Sequence, residues 1–105
     1  LLYNVFGRVN IMIKHIVMWK FKENEEENVE KFLTGLKSLD GVIDVIKYME
    51  VKKSVKPNSK YDAVLISKFD NFEDLEKYKN DPRHVEVSNL CKSIRTDRAS
   101  IDVEE

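Results

Sequence analysis

The stretch Ile13-Lys14-His15-Ile16-Val17-Met18-Trp19-Lys20-Phe21 constrains this chain more than any other feature. It is dense in β-branched and aromatic residues and reads as a strand from Met12 to Phe21, in which successive side chains point to opposite faces. Ile13, His15, Val17, Trp19 and Phe21 then share one face, and Lys14, Ile16, Met18 and Lys20 share the other. Large apolar groups stand on both faces. A sheet built around this strand needs cover on two sides, and the rest of the chain has to be read for what supplies it.

Downstream, Glu25-Glu26-Glu27 puts negative charge in the first turn of a helix, where the backbone dipole favours it. Val29, Phe32, Leu33, Leu36 and Leu39 form its apolar stripe, and Asp40-Gly41 predicts its end. Val42 to Ser54 reads as a second strand, Pro57-Asn58-Ser59 as a turn, and Tyr61 to Phe69 as a third strand antiparallel to the second. Asp70 with Glu73 offers a capping box for a short helix with Phe72, Leu75 and Tyr78 on one face. Asp81-Pro82 restarts the chain as N-cap and first helical residue. In that last helix His84, Val87, Cys91 and Ile94 recur at spacings of 3, 4 and 3, so they share a face. Arg98 to Val103 closes as a strand, with Ala99, Ile101 and Val103 on one side and Asp102 on the other.

The order β-α-β-β-α-α-β predicts an α+β, ferredoxin-like fold: a four-stranded antiparallel sheet with helices on one side. The uncovered side would carry Ile16, Met18, Val64 and Ile66, and an apolar patch of that kind marks an interaction surface. A second copy covers it with the same surface, so the expected assembly is a homodimer joined sheet to sheet. A length of 105 residues suits one domain, placed at 12–104. Residues 1–11 read as an N-terminal extension, either an added edge strand or a segment upstream of a natural start.

Charge and motif content narrow the function classes. With 18 Lys+Arg against 19 Asp+Glu, the chain lacks the positive excess that nucleic-acid binding needs. Lys52, Lys53, Lys56 and Lys60 flank the turn without an aromatic stacking platform, which reads as a solvated face. Cys91 is the single cysteine, so no intrachain disulfide forms and Cys91 reads as an inert small hydrophobe on its helix stripe. No apolar run spans a bilayer, and the N-terminus lacks a basic segment and a small-residue cleavage site; a cytoplasmic protein with no membrane partner is expected. Two histidines far apart and one cysteine make no metal site, and without a phosphate loop or dinucleotide fingerprint no cofactor is expected.

Three residues stand out as a candidate catalytic set. His84 falls at the third position of its helix, where the positive dipole end opposes protonation and favours the neutral imidazole that a general base needs. Its plain alternative is a packed histidine helping a helix start. His15 lies on the helix-facing side of the first strand, where a buried histidine with one hydrogen bond would also be ordinary. Tyr78 shares the stripe of Phe72 and Leu75, and simple packing with the hydroxyl at the rim would account for it. Convergence favours function: both histidines of the chain and one tyrosine map to the sheet–helix interface, and polar tips meeting in an apolar cleft make a pocket for a small molecule.

Four stretches then carry a resemblance: Ile13 to Lys22, Tyr61 to Phe69, Tyr78-Lys79-Asn80-Asp81-Pro82-Arg83-His84, and Asp97 to Val103. In this order they resemble the stress-responsive A/B barrel (Dabb) family, over residues 12–104. The resemblance implies a dimeric α+β barrel. That family includes plant stress-related proteins and a plant polyketide cyclase that performs an intramolecular aldol condensation without a cofactor. In the cyclase type a strand-one histidine, a helix tyrosine and a histidine after the proline line the pocket; by motif position these are His15, Tyr78 and His84. Asp81 stands where the cyclase branch has a histidine, and residues 1–11 have no counterpart.

Two readings follow from different classes. One is a cofactor-free acid/base enzyme on a small carbonyl or polyketide-like substrate, with His84 as base, Tyr78 polarising a carbonyl oxygen, and His15 orienting one of them or lining the pocket. The other is a non-catalytic stress-related, small-molecule-binding or assembly protein. A cleft holding all three side chains favours the first, and solid packing between sheet and helices favours the second.

Overall fold

The computed structural model describes residues 2–3 and 9–105. Two short strands, β1 (Leu2–Tyr3) and β2 (Val9–Asn10), pair antiparallel with each other. They form a sheet of their own, so neither is an added edge strand of the main one.

The main sheet uses β3 (Ile13–Phe21), β4 (Tyr48–Lys53), β5 (Ala63–Phe69) and β6 (Arg95–Glu104). Its strand order is β4-β5-β3-β6 and every ladder is antiparallel. Three helices, α1 (Glu26–Lys37), α2 (Phe72–Asn80) and α3 (Pro82–Ile94), complete the ferredoxin-like order read from the sequence.

Register gives each face its composition. Toward the helices, Val51, Leu65 and Val17 lie side by side across three strands, as do Ala63 and Trp19 one row away. All five are buried, together with Phe32, Leu33 and Leu36 of α1. Phe32 meets the Trp19 ring edge-on at 5.1 Å and the Phe21 ring at 6.0 Å, which locks α1 onto β3. Gly35 lets α3 approach α1, because a Cβ there would stand 3.3 Å from Val87 Cγ2. On the opposite face, Ile66, Ile16 and Ile101 form one row and Val64, Met18 and Ala99 the next. No described helix covers these rows; Ile101 is 58 % exposed.

Several boundaries differ from the sequence reading, each for a local reason. The stretch from Val42 is not strand; β4 starts at Tyr48. Ile43 and Ile46 are nonetheless buried, plugging the end of the core from a turn. Helix α1 ends at Lys37, before Asp40, and Gly41 takes a left-handed φ of 80° in the turn beyond. β5 begins at Ala63 rather than Tyr61, and β6 begins at Arg95 rather than Arg98. Helix α2 is capped not by an Asp70–Glu73 box but by Asn71, whose Oδ1 accepts from Asp74 N at 2.8 Å. Phe72, expected on the buried stripe, is 58 % exposed because it sits at the first position of α2, while Leu75 and Tyr78 are fully buried. Asp81 caps α3 as expected, accepting from Arg83 N at 2.9 Å, with Pro82 in the first turn.

Candidate functional site

One row of the helix-facing side departs from the apolar pattern. Across β5, β3 and β6 it reads Ser67, His15, Asp102. Ser67 and His15 are buried, and the Ser67 hydroxyl donates to the His15 carbonyl at 3.5 Å. His15 Nδ1 lies 2.5 Å from Asp102 Oδ1. An ionised carboxylate only accepts, so Nδ1 carries the proton in this pair and Nε2 is left as the basic nitrogen.

Helices α2 and α3 bring two further groups over this row. Tyr78, in the last turn of α2, is 0 % exposed, and its ring packs 5.2 Å from Phe69 and 6.4 Å from His15. His84, in the first turn of α3, packs against the Tyr78 ring at 4.3 Å between centroids, the two planes tilted by 46°. The Asp81-Pro82 junction sets this meeting: Asp81 turns extended between the helices and its side chain starts α3. His84 Nδ1 donates to the Lys79 carbonyl at 3.0 Å, since a carbonyl cannot donate. His84 thus also presents Nε2 as its basic nitrogen.

His15, Tyr78 and His84 line one partly enclosed cavity of about 40 Å³, with Ser88, Arg95 and Arg98 as further polar walls. That is room for about three water-sized groups. The Tyr78 hydroxyl is fully buried and has no hydrogen-bond partner among the described residues. A buried phenol without a partner is costly, which makes this hydroxyl a candidate contact for a water or a bound molecule.

Burial dominates the electrostatics. It lowers the pKa of His15 against the opposing pull of Asp102, and it lowers that of His84 against its bond to Lys79. The helix start is therefore not the leading reason His84 is neutral; desolvation is. Burial also raises the Tyr78 pKa, keeping the phenol protonated and able to donate. Asp81 takes no part in this cavity. Its carboxylate is held down at about 2 by Arg83, which binds both of its oxygens.

The lowered histidines have a consequence for stability. In the unfolded chain each imidazole titrates near 6.5, and in the folded chain lower. The unfolded state then binds more protons as pH drops below 6.5, so the contribution is complete above that value and is lost as pH falls through the folded-state pKa. The thermal midpoint is expected to fall on acidification below pH 6.5. His15→Asn, which keeps a donor toward Asp102 but cannot titrate, is expected to flatten that slope. An unchanged slope in this variant would show that His15 titrates normally.

Arg95, Arg98 and Ser88, which line the cavity, and Asp102, which pairs with His15, were not singled out by the sequence reading. Asp102 had one usable signal: it alternates away from Ala99, Ile101 and Val103 and so lies on the helix side of its strand. Among the described residues no cluster of three or more His, Cys, Asp or Glu is placed to hold a metal ion. Nor is any described helix long and apolar enough to cross a membrane.

Known proteins share this fold. The Stress Responsive A/B Barrel Domain family matches residues 13–105. A dimeric protein of unknown function with a ferredoxin-like fold from Bacteroides fragilis is 30 % identical, with a TM-score of 0.81 over 90 % of this chain and 96 % of its own. A Dabb family protein with a ferredoxin-like fold from Mesorhizobium loti is 21 % identical, with a TM-score of 0.75 over 89 % and 95 %. The hydroxynitrile lyase of Passiflora edulis shares the fold at 12 % identity, with a TM-score of 0.81 over 92 % and 95 %. No curated protein is detectably similar in sequence.

Proposed function

The chain belongs to the stress responsive A/B barrel domain family, and from that premise we propose that it is a cofactor-free acid–base catalyst acting on a small carbonyl compound. The observation that carries this reading is the buried, unpartnered Tyr78 hydroxyl in a cavity shared with two imidazoles. A protonated phenol in a desolvated cleft donates to a carbonyl oxygen and stabilises the charge that develops there when a proton leaves the adjacent carbon. His84 Nε2 takes that proton, its neutral form secured by burial. His15, its Nδ1 fixed by Asp102, lines the same cavity and holds its ring against the Tyr78 edge. The cavity volume of about 40 Å³ favours the small carbonyl over a polyketide chain. That the fold also serves a hydroxynitrile lyase supports a catalytic use of it.

The test needs no knowledge of the natural substrate. Incubated in D2O with a panel of small ketones and aldehydes, the protein is expected to exchange α-protons of at least one faster than buffer does, read as loss of the C–H signal by NMR. Exchange at the buffer rate across the panel would sink the acid–base reading.

The working unit in this proposal is a homodimer joined through the open sheet face. The two adjacent rows led by Ile66-Ile16-Ile101 and Val64-Met18-Ala99 support it, as do relatives described as dimeric. Lys14 and Lys68 stand directly opposite each other beside these rows, and both pair with Glu105, which removes the repulsion that two like charges would bring to the face. A cytoplasmic setting suits Cys91, a buried free thiol.

A further inference from the structure

The rim of the cavity carries a charge that the proton-transfer reading leaves unused. Arg95 and Arg98 are three residues apart, so in a regular strand they would point to opposite faces. A one-residue bulge changes this: Lys20 pairs with Asp97 but Phe21 pairs with Arg95, leaving Thr96 without a counterpart. Arg98 stands opposite Trp19 and Arg95 opposite Phe21, both helix-facing positions, and both arginines line the cavity. A bulge beside a site commonly re-aims a side chain, and here it turns a single arginine into a pair.

Neither arginine has a carboxylate within ion-pairing distance among the described residues. Of the acidic groups nearby, Asp102 is committed to His15 and Asp81 to Arg83, while Asp97 stands opposite Lys20 on the other face and accepts from the Arg98 backbone N–H at 2.8 Å. Arg98 Nη1 donates to the neutral Ser100 hydroxyl at 3.3 Å. Its charge reaches inward all the same, opposing protonation of both histidines and easing ionisation of Tyr78. The cavity thus has a neutral floor of imidazole and phenol beneath a cationic rim, Arg98 being exposed and Arg95 half-buried.

We propose that the ligand of this cleft is a small oxo-carboxylate, with its carboxylate held at the rim by Arg98 and Arg95 and its carbonyl directed inward to the Tyr78 hydroxyl. The inference deepens the acid–base reading and rests on it. Size agrees: about three water-sized positions accommodate a carbonyl and an adjacent carbon, and leave the carboxylate outside at the guanidinium level. Chemistry agrees as well, since the planar guanidinium fork matches a carboxylate in two parallel hydrogen bonds.

Pyruvate and its neutral methyl ester are the probes, titrated against labelled protein and followed at the His15 and His84 imidazole signals. Pyruvate is expected to bind at least about tenfold more tightly than the ester, with the difference shrinking as salt is added. Arg98→Gln, and Arg95→Gln with Arg98→Gln, are expected to bring pyruvate binding down to that of the ester in the same variant; Arg98→Lys retains part of the preference. Equal binding of acid and ester to the unaltered protein overturns the anion assignment and leaves the acid–base reading standing. Binding of neither overturns the oxo-carboxylate assignment, and the exchange panel then decides the acid–base reading by itself. A preference that survives the double substitution shows that the rim arginines do not hold the anion.

Discussion

Replacing His84 with alanine is expected to lower the α-proton exchange rate by about 10²–10⁴-fold, the range a positioned general base supplies. The expected cost in stability is about 1 kcal/mol, the net worth of one hydrogen bond to the Lys79 carbonyl. His84 is half-buried in the first turn of a helix already capped by Asp81, so α3 does not depend on it for initiation. Exchange rate by NMR and midpoint by thermal unfolding, measured on the same sample, separate the outcomes. If the variant loses its fold, the histidine is a packing element and the catalytic assignment fails. If it keeps both fold and exchange, the base lies elsewhere in the cavity.

The second large effect concerns assembly. Ile16 and Ile66 are cross-strand partners at the middle of the open face. Changing both to aspartate puts two carboxylates there, and the two-fold symmetry of the proposed dimer doubles the number to four at its interface. Each buried, unpaired carboxylate costs several kcal/mol in desolvation. The dimer dissociation constant is therefore expected to rise by more than about 10³-fold, enough to yield monomer at micromolar concentration by light scattering. Neither side chain touches the helix-facing core, so the monomer's circular dichroism is expected to match the parent's. An unaltered protein that already scatters as a monomer at that concentration would remove the basis of the sheet-to-sheet dimer.

Element order, the helix-facing core and the two apolar faces of β3 were all legible from periodicity, because each depends on spacing within one segment. The polar half of the site was not, because it depends on register between segments distant in sequence. Asp102 lies 87 positions from His15, and only the β3–β6 ladder puts them side by side. Arg95 was hidden more deeply, since strict alternation sends it away from Arg98 and the bulge at Thr96 has no signature in composition. The run from Val42 to Ile46 misled for the opposite reason. Ile43 and Ile46 are buried, as such residues are in strands, yet turns at the end of the core hold them, and Val42 is exposed. At Asn71 the ambiguity was a single residue: Asp70 and Asn71 are both good caps, and tertiary packing of Leu75 and Tyr78 decided between them.

Along β6 the side chains alternate between two employments: Ser100 and Asp102 face inward, Ile101 and Val103 outward. That alternation makes the strand tolerant of substitution and intolerant of any change in length. Loss of the single codon for Ile101 forces one half of the strand to turn over. If the first half turns, Asp97 and Ala99 arrive where Arg98 and Ser100 had been. If the second half turns, Val103 arrives opposite His15 in place of Asp102. Either way an acidic or apolar residue takes a helix-facing place that had been Arg98's or Asp102's, and a polar one is driven onto the open apolar face. Insertions and deletions in descendants of this chain are thereby confined to its turns, such as the one around Pro57, while β6 can drift only letter by letter.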